Sequence, residues 1–265
     1  MPAIQTDALR REFGSVVAVE GLSLAVQPGE VFGLLGPNGA GKTTTIKMLI
    51  TLLPPTSGSA TVAGHDVRRE QRLVRRSIGY VPQLLSSDGA LTARENLEVS
   101  ARLYHIPASE RAGRIDAALR FMGLTDVAGS LVRTFSGGMI RRLEIAQAML
   151  HRPEILFLDE PTVGLDPVAR RAVWDHVRRL REQEGTTILL TTHYMEEAAE
   201  LCERVAIMHL GRLVALGTPA ALAAEVGPSA TLDDVFTQFT GTELETGGGT
   251  FRDVARTRRT ARRLG

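Results

Sequence analysis

The chain has 265 residues, 43% of them hydrophobic and 23% charged, with a net charge of +1. This is the balance of an ordinary soluble globular protein, and it leaves no global basic footprint for nucleic acid. The only cysteine, Cys202, excludes an internal disulfide and fits a reducing compartment. No apolar run approaches the length of a membrane span, and "MPAIQTDALRREFG" lacks the apolar core of a signal peptide. If the protein works at a membrane, the spans belong to another chain.

Residues 2–35 predict short strands with turns at "EFGS" and "QPGE". "VFGLLG" (Val31–Gly36) is a buried strand entering a glycine-rich loop, followed by a helix over Thr43–Leu52. "PPTSGSA" reads as a loop, "ATVAGHDV" as a strand and turn, and "SIGYVPQ" as a strand ending at Gln83. From about Leu84 to Leu150 helix signals replace strand signals. "TARENLEVSARLYH" opens with a capping box, Thr92 with Glu95 three residues on. "SERAGRIDAALRFMGL" follows, and then "RTFSGGMIRRLEIAQAML", a helix whose first turn is Ser136-Gly137-Gly138. These helices read as an insert within an α/β domain.

"EILFLDE" (Glu154–Glu160) is a continuous apolar run ending in two acids, as suits a parallel strand buried on both faces. Asp166 and Pro167 place an N-cap before a proline at the first helical position, starting a helix to about Glu184. "TTILLTTH" is a buried strand, "YMEEAAELC" a helix, "RVAIMHLGRLVALG" a hairpin turning at Leu210-Gly211, and "TPAALAAEVG" a short helix. The expected domain covers residues 1–227, with the helical part at about 84–150 inserted. Residues 228–265 form an extension whose pattern weakens through "TLDDVFTQFTG" into "TGGG", a flexible spacer. In its arginine-rich tail, Arg252, Arg256, Arg259 and Arg263 share one helical face, suited either to anionic headgroups or a membrane partner or to solvent.

"GPNGAGKT" (Gly36–Thr43) matches G-x-x-x-x-G-K-[ST] between a predicted strand and a predicted helix. Gly36, Gly39 and Gly41 let the backbone turn its N–H groups around phosphate. Pro37, Asn38 and Ala40 complete the loop, and Thr44 sits in the first helical turn, whose dipole adds positive potential. Lys42 reaches the β/γ-phosphates, and the Thr43 hydroxyl can ligate Mg²⁺. Asp159, at the end of a buried strand, can hold Mg²⁺ directly or through water. Glu160 comes next, pointing elsewhere, and can orient and deprotonate an attacking water. No N-K-x-D base reader is present, since the only asparagines are Asn38 and Asn96. Phe13 either stacks on adenine or packs into the core. Gly137 and Gly138 cost roughly 1 kcal/mol each against alanine in a helix interior, and they leave N–H groups bare for an anion.

P-loop, Gln83 at a strand end, Ser-Gly-Gly opening a helix, strand-end Asp159-Glu160 and strand-end His193: this order resembles the ATP-binding cassette (ABC) ATPases over about residues 3–220. The resemblance implies a P-loop NTPase core with a mostly parallel sheet, an N-terminal antiparallel β part and an inserted α-helical subdomain. It implies hydrolysis of ATP with Mg²⁺ in a head-to-tail pair of identical copies. In that pair Ser136, Gly137 and Gly138 cap the ATP on the other copy's P-loop. Gln83 resembles the Q-loop, which touches metal or water and links to a membrane partner. Asp166 in "VGLDP" resembles the D-loop, which crosses the dimer seam, with local N-capping as the alternative role. His193 resembles the switch histidine, which senses the γ-phosphate. Met139 stands where the family usually has Gln, which bears only on the polar contact that Gln makes.

Softer marks resemble the daunorubicin-resistance type of drug exporter: "GALTARENL", "FSGGMIRRLEIA", "GLDPVARRAVWDHV" and "TLDDVFTQFTG". They imply a subunit at the cytoplasmic face of the cell membrane, held there by a separate multispanning permease that docks on Leu84–Leu97. A lipid or polysaccharide exporter stays open. So does a soluble ABC ATPase acting in cofactor assembly or on nucleic acid and ribosomes. The single cassette and the lack of sustained heptads between the P-loop and Asp159 argue against the last of these, and no specific nucleic acid is expected.

Overall fold

The computed structural model describes residues 1–241; the glycine spacer and the arginine face of the tail lie outside them. Its strands are β1 (Ile4–Phe13), β2 (Val16–Val26), β3 (Val31–Leu35), β4 (Ser57–Val62), β5 (His65–Asp66), β6 (Ile78–Val81), β7 (Ile155–Asp159), β8 (Thr187–Thr192), β9 (Arg204–His209) and β10 (Arg212–Gly217). Its helices are α1 (Lys42–Leu49), α2 (Gln71–Ser77), α3 (Ala93–Leu103), α4 (Ala108–Phe121), α5 (Gly137–Met149), α6 (Pro167–Glu184), α7 (Met195–Leu201), α8 (Pro219–Val226) and α9 (Leu232–Thr240).

Two sheets form. One is antiparallel, in the order β2-β1-β4-β5. The other has the order β10-β9-β3-β8-β7-β6 and is parallel except for β10. The β9–β10 hairpin turns at Leu210 and Gly211, whose φ values of 47° and 79° match the twist of the flanking strands.

Side chains of the central strands alternate between two cores. Phe32, Leu34, Ile155, Phe157 and Leu189 face the antiparallel sheet and α1. Val31, Leu35, Leu156, Leu158, Ile188 and Leu190 face the helices. Strands covered on both sides need apolar residues at every position, which is why β7 and β8 read as continuous runs. Each such side chain gains about 1.5–3 kcal/mol from full burial.

The inserted helices α3, α4 and α5 stand between β6 and β7, as expected. Thr92 and Glu95 form the capping box: the Thr92 Oγ1 accepts from the Glu95 N–H at 3.1 Å, and the Thr92 N–H donates to Glu95 Oε2 at 2.7 Å. Several boundaries and elements differ from the sequence reading: β1 and β2 are long, at 10 and 11 residues, and β4 starts at Ser57, inside the stretch read as a loop. Helix α1 stops at Leu49, because Thr51 turns to φ 66°. Strand β6 ends at Val81, before Pro82, which has no N–H for the ladder. Helix α2 was not expected; its seven residues bury only Val74. Helix α9 lies where the pattern weakened. It is capped by Thr231 and Asp234 and buries Leu232, Val235 and Phe236 in the helix-side core.

Candidate active site

The parallel strands run in the order β3-β8-β7-β6, so the loops at their carboxyl ends sit side by side, where open α/β sheets bind ligands. The P-loop leaves β3, His193 follows β8, Glu160 follows β7, and Gln83 follows β6. Local sequence placed each residue at a strand end; the strand order makes them one site.

The P-loop needs its glycines for space as well as for φ. A Cβ on Gly36 would lie 2.3 Å from the Met208 carbonyl oxygen, and one on Gly41 2.4 Å from that of Ala18, with φ at 148° and 102°. Gly39 and Asn38 form an exposed tip, Pro37, Thr43 and Thr44 are half-buried, and Ala40 is buried. Lys42 curls back under this loop. Its Nζ donates to the carbonyls of Gly36 (2.7 Å) and Pro37 (3.1 Å) and pairs with Glu160 Oε1 at 3.2 Å. Burial pulls the Lys42 amine below its usual pKa, against the pull of Glu160 and Asp159.

One oxygen of Asp159 accepts two hydroxyls, Thr43 at 3.1 Å and Thr191 at 2.6 Å. Burial pushes this carboxyl up, and the two hydroxyls oppose it. Glu160 has φ 49°, a left-handed backbone that costs a non-glycine residue of order 1–3 kcal/mol. Its amide holds that turn by donating to the Thr191 carbonyl (3.1 Å) and hydroxyl (3.0 Å). Its carboxylate is gripped from three sides: Lys42, Gln83 Nε2 donating to Oε2 at 2.8 Å, and His193 Nδ1 at 3.4 Å from Oε1. Burial raises the Glu160 carboxyl, but His193 and Lys42 together bring it below the ordinary glutamate value.

The oxygen donors Thr43 and Asp159, 3.1 Å apart, suit Mg²⁺. Among the described residues no group of three or more His, Cys, Asp or Glu forms a metal cluster.

Ser136, Gly137 and Gly138 have none of these partners; the two glycines face the start of α6 and the loop ahead of it. The Ser136 Oγ caps its own helix, accepting from the Met139 N–H at 3.3 Å. A Cβ on Gly138 would lie 2.7 Å from Ala169 Cβ, and one on Gly137 3.2 Å from Leu165 Cδ2. Gly138 therefore has a packing role, where α5 meets α6, in addition to its bare N–H. Met139 is half-buried against the apolar core. Asp166 does cap α6 locally, accepting from Val168 N (3.0 Å) and Ala169 N (2.9 Å). Phe13 is 47% exposed at the end of β1, with Arg11 4.5 Å over its ring, so it is no core residue. It pairs with Val16, two residues ahead of the Ala18 carbonyl that abuts Gly41. Sequence reading passed over Thr191, which binds both acids; its only signal is the Thr-Thr pair before His193.

The model of the ABC transporter family matches residues 19–163, from ahead of the P-loop to past Glu160. The chain belongs to the ABC transporter ATPase family. It is 48% identical over 225 residues to the daunorubicin resistance ATP-binding protein DrrA3 of Streptomyces coeruleorubidus, covering 85% of this chain and 71% of that one. It is 45% identical over 226 residues to the Nod factor export ATP-binding protein I of Paraburkholderia xenovorans, covering 85% and 74%. It also resembles the dimeric post-hydrolysis structure of the ATP-binding cassette MJ0796 bound to ADP and Pi. The TM-score there is 0.72 at 25% identity, covering 81% of this chain and 98% of that one. The cassette is thus an ATPase that works with ATP and Mg²⁺.

Proposed function

We propose that this cassette hydrolyses ATP in a head-to-tail pair of identical copies and drives a separate multispanning permease that exports a drug, antibiotic or similar hydrophobic compound. The observation that carries the catalytic reading is the three-sided grip on Glu160. An ionised carboxylate at a strand end, beside a phosphate-binding lysine and an Mg²⁺-type donor set, is equipped to take a proton from water. Lys42 and the P-loop amides bind the phosphates. Thr43 and Asp159, joined by Gln83, would hold Mg²⁺, which would offset the charge of the phosphates. Gln83 and His193 keep Glu160 aimed and report on the γ-phosphate, while Phe13 stacks on the base. Positioning and electrostatics supply most of the acceleration.

Of the two relatives, one is a daunorubicin resistance protein and the other a Nod factor export protein, which supports export. No described helix is long and apolar enough to cross a membrane, which suits spans supplied by another chain. Leu84 and Leu85 are 53% and 39% exposed beside Gln83, on the stretch expected to meet the permease. Ser136–Gly138 offer their N–H groups to the partner copy's nucleotide, and Asp166 stands at the seam. The working location is then the cytoplasmic face of the cell membrane.

The test is steady-state hydrolysis by wild type and Glu160→Gln. Loss of a positioned base predicts a fall of roughly 10²- to 10⁴-fold with ATP binding kept; normal turnover removes Glu160 from that role. Purification of the native complex from membranes tests the partner. A stoichiometric permease supports export, whereas ribosomes or an assembly protein would favour the soluble alternatives.

A further inference from the structure

One face of α5 is polar where it should be apolar. Arg141 and Glu144 are 1% and 3% exposed, ion-paired at 3.1 Å, on a helix that already buries Leu143, Ile145 and Ala146. Apolar residues of similar volume pack helices as well or better than a buried ion pair, so packing alone does not explain them. Their bonds all go to one loop. Arg141 donates to the carbonyls of Pro82 (2.6 Å) and Gln83 (2.9 Å). Glu144 Oε1 accepts from the Ser86 N–H, the Ser86 hydroxyl (3.1 Å) and the Ser87 N–H (3.4 Å). Gln147 Oε1 accepts from the Ser87 hydroxyl at 2.8 Å. Positions 141, 144 and 147 recur at helical spacing on one face, so a single rail of α5 carries loop 82–87.

We infer that Arg141 and Glu144 are positioning residues for Gln83, fixing the Gln83 loop to the helix opened by Ser136-Gly137-Gly138. The path is continuous: α5, the Arg141 guanidinium, the Gln83 backbone, the Gln83 amide, the Glu160 carboxylate. A shift of α5 when its N-terminus meets a nucleotide on the other copy would carry Gln83 with it and change its hold on Glu160. Arg141 serves the two carbonyls with separate nitrogens, Nη1 on Pro82 and Nη2 on Gln83, a fork that a single lysine ammonium does not reproduce. The inference rests on the roles proposed above for Gln83 and Glu160.

The test uses the full chain with two variants. Arg141→Gln/Glu144→Gln removes both charges together, so no buried charge is left alone, and Arg141→Lys keeps the charge but not the fork. Turnover per folded molecule, KM for ATP, and ATP-driven dimerisation in a Glu160→Gln background are measured. The expected result is at least a tenfold fall in kcat for the double variant and at least threefold for Arg141→Lys. KM stays within twofold, and the ATP-driven dimer is kept. A merely structural pair would lower the folded fraction and leave turnover per folded molecule unchanged. A folded double variant, or a folded Arg141→Lys, with kcat within twofold of wild type overturns the inference. Should the Glu160→Gln parent itself fail to dimerise with ATP, the shared-site reading fails, and the kcat comparison still judges Arg141 and Glu144.

Discussion

Lys42 is paired with Glu160, and a phosphate that binds this lysine must compete with that carboxylate. The pair is 3.2 Å apart, with side chains 5% and 4% exposed. At an effective dielectric constant near 20, this separation corresponds to roughly 5 kcal/mol of Coulomb attraction, much of it offsetting the cost of burying both charges. Glu160→Gln keeps the shape and an acceptor but removes the charge. Lys42 then keeps the carbonyls of Gly36 and Pro37 and a neutral acceptor at 160, and one of the two carboxylates near it, that of Glu160, no longer opposes the arriving γ-phosphate. If a quarter of the attraction reappears in binding, Mg-ATP affinity rises by about 1.3 kcal/mol, roughly tenfold. The assay is calorimetric titration of Mg-ATP into Glu160→Gln, with Gly137→Asp present in both proteins compared so that dimerisation does not contribute. Because the pair is buried, the gain persists at high salt, and it is smaller for ADP. Unchanged or weaker ATP affinity would refute the competition.

Other expectations follow from the same geometry. The Asp159 carboxyl is raised above its ordinary 3.8 by burial, so the folded state holds its proton more tightly than the unfolded state. Stability of the ligand-free protein therefore gains as pH falls from that raised value through 3.8, while Mg²⁺ affinity rises with pH over the same window. Asp159→Asn keeps an acceptor for Thr43 and Thr191 without the buried charge. Its ligand-free melting temperature should match or exceed wild type, with the Mg²⁺-dependent thermal shift lost. Gly41→Ala should destabilise the fold by more than the 1–2 kcal/mol of backbone strain alone, because its Cβ meets the Ala18 carbonyl; Gly39→Ala, in open space at φ 84°, should cost only about that strain. Urea unfolding separates the two. Phe13→Ala should leave thermal stability unchanged and weaken ATP binding by about 1–2 kcal/mol, as loss of a base-stacking ring does.

The phosphate site was legible in the sequence because its chemistry is local. Gly36–Thr43, Asp159-Glu160 and His193 each sit at the end of a strand whose apolar run announces it. The strand order that brings them together is a long-range property that no single segment carries. Arg141 and Glu144 were invisible for a related reason: a charged pair in a helix reads as a solvated face until the loop it binds is placed beside it. The glycine at 138 was read for its bare N–H, whereas its need to clear Ala169 depends on how α5 meets α6. Helix α9 was faint because it buries only three residues, Leu232, Val235 and Phe236, along nine. The left-handed backbone of Glu160 left no mark at all, since glutamate is no turn former, and the bonds from its amide to Thr191 that help hold it there are long-range.

The most direct measurement is a Mg-ATP titration on purified Glu160→Gln protein, reading mass by light scattering. ATP but not ADP should convert monomer to dimer, and adding Gly137→Asp should abolish the conversion while ATP still binds. A protein that binds ATP yet stays monomeric at high concentration would contradict the homodimeric sandwich, as would a dimer indifferent to Gly137→Asp.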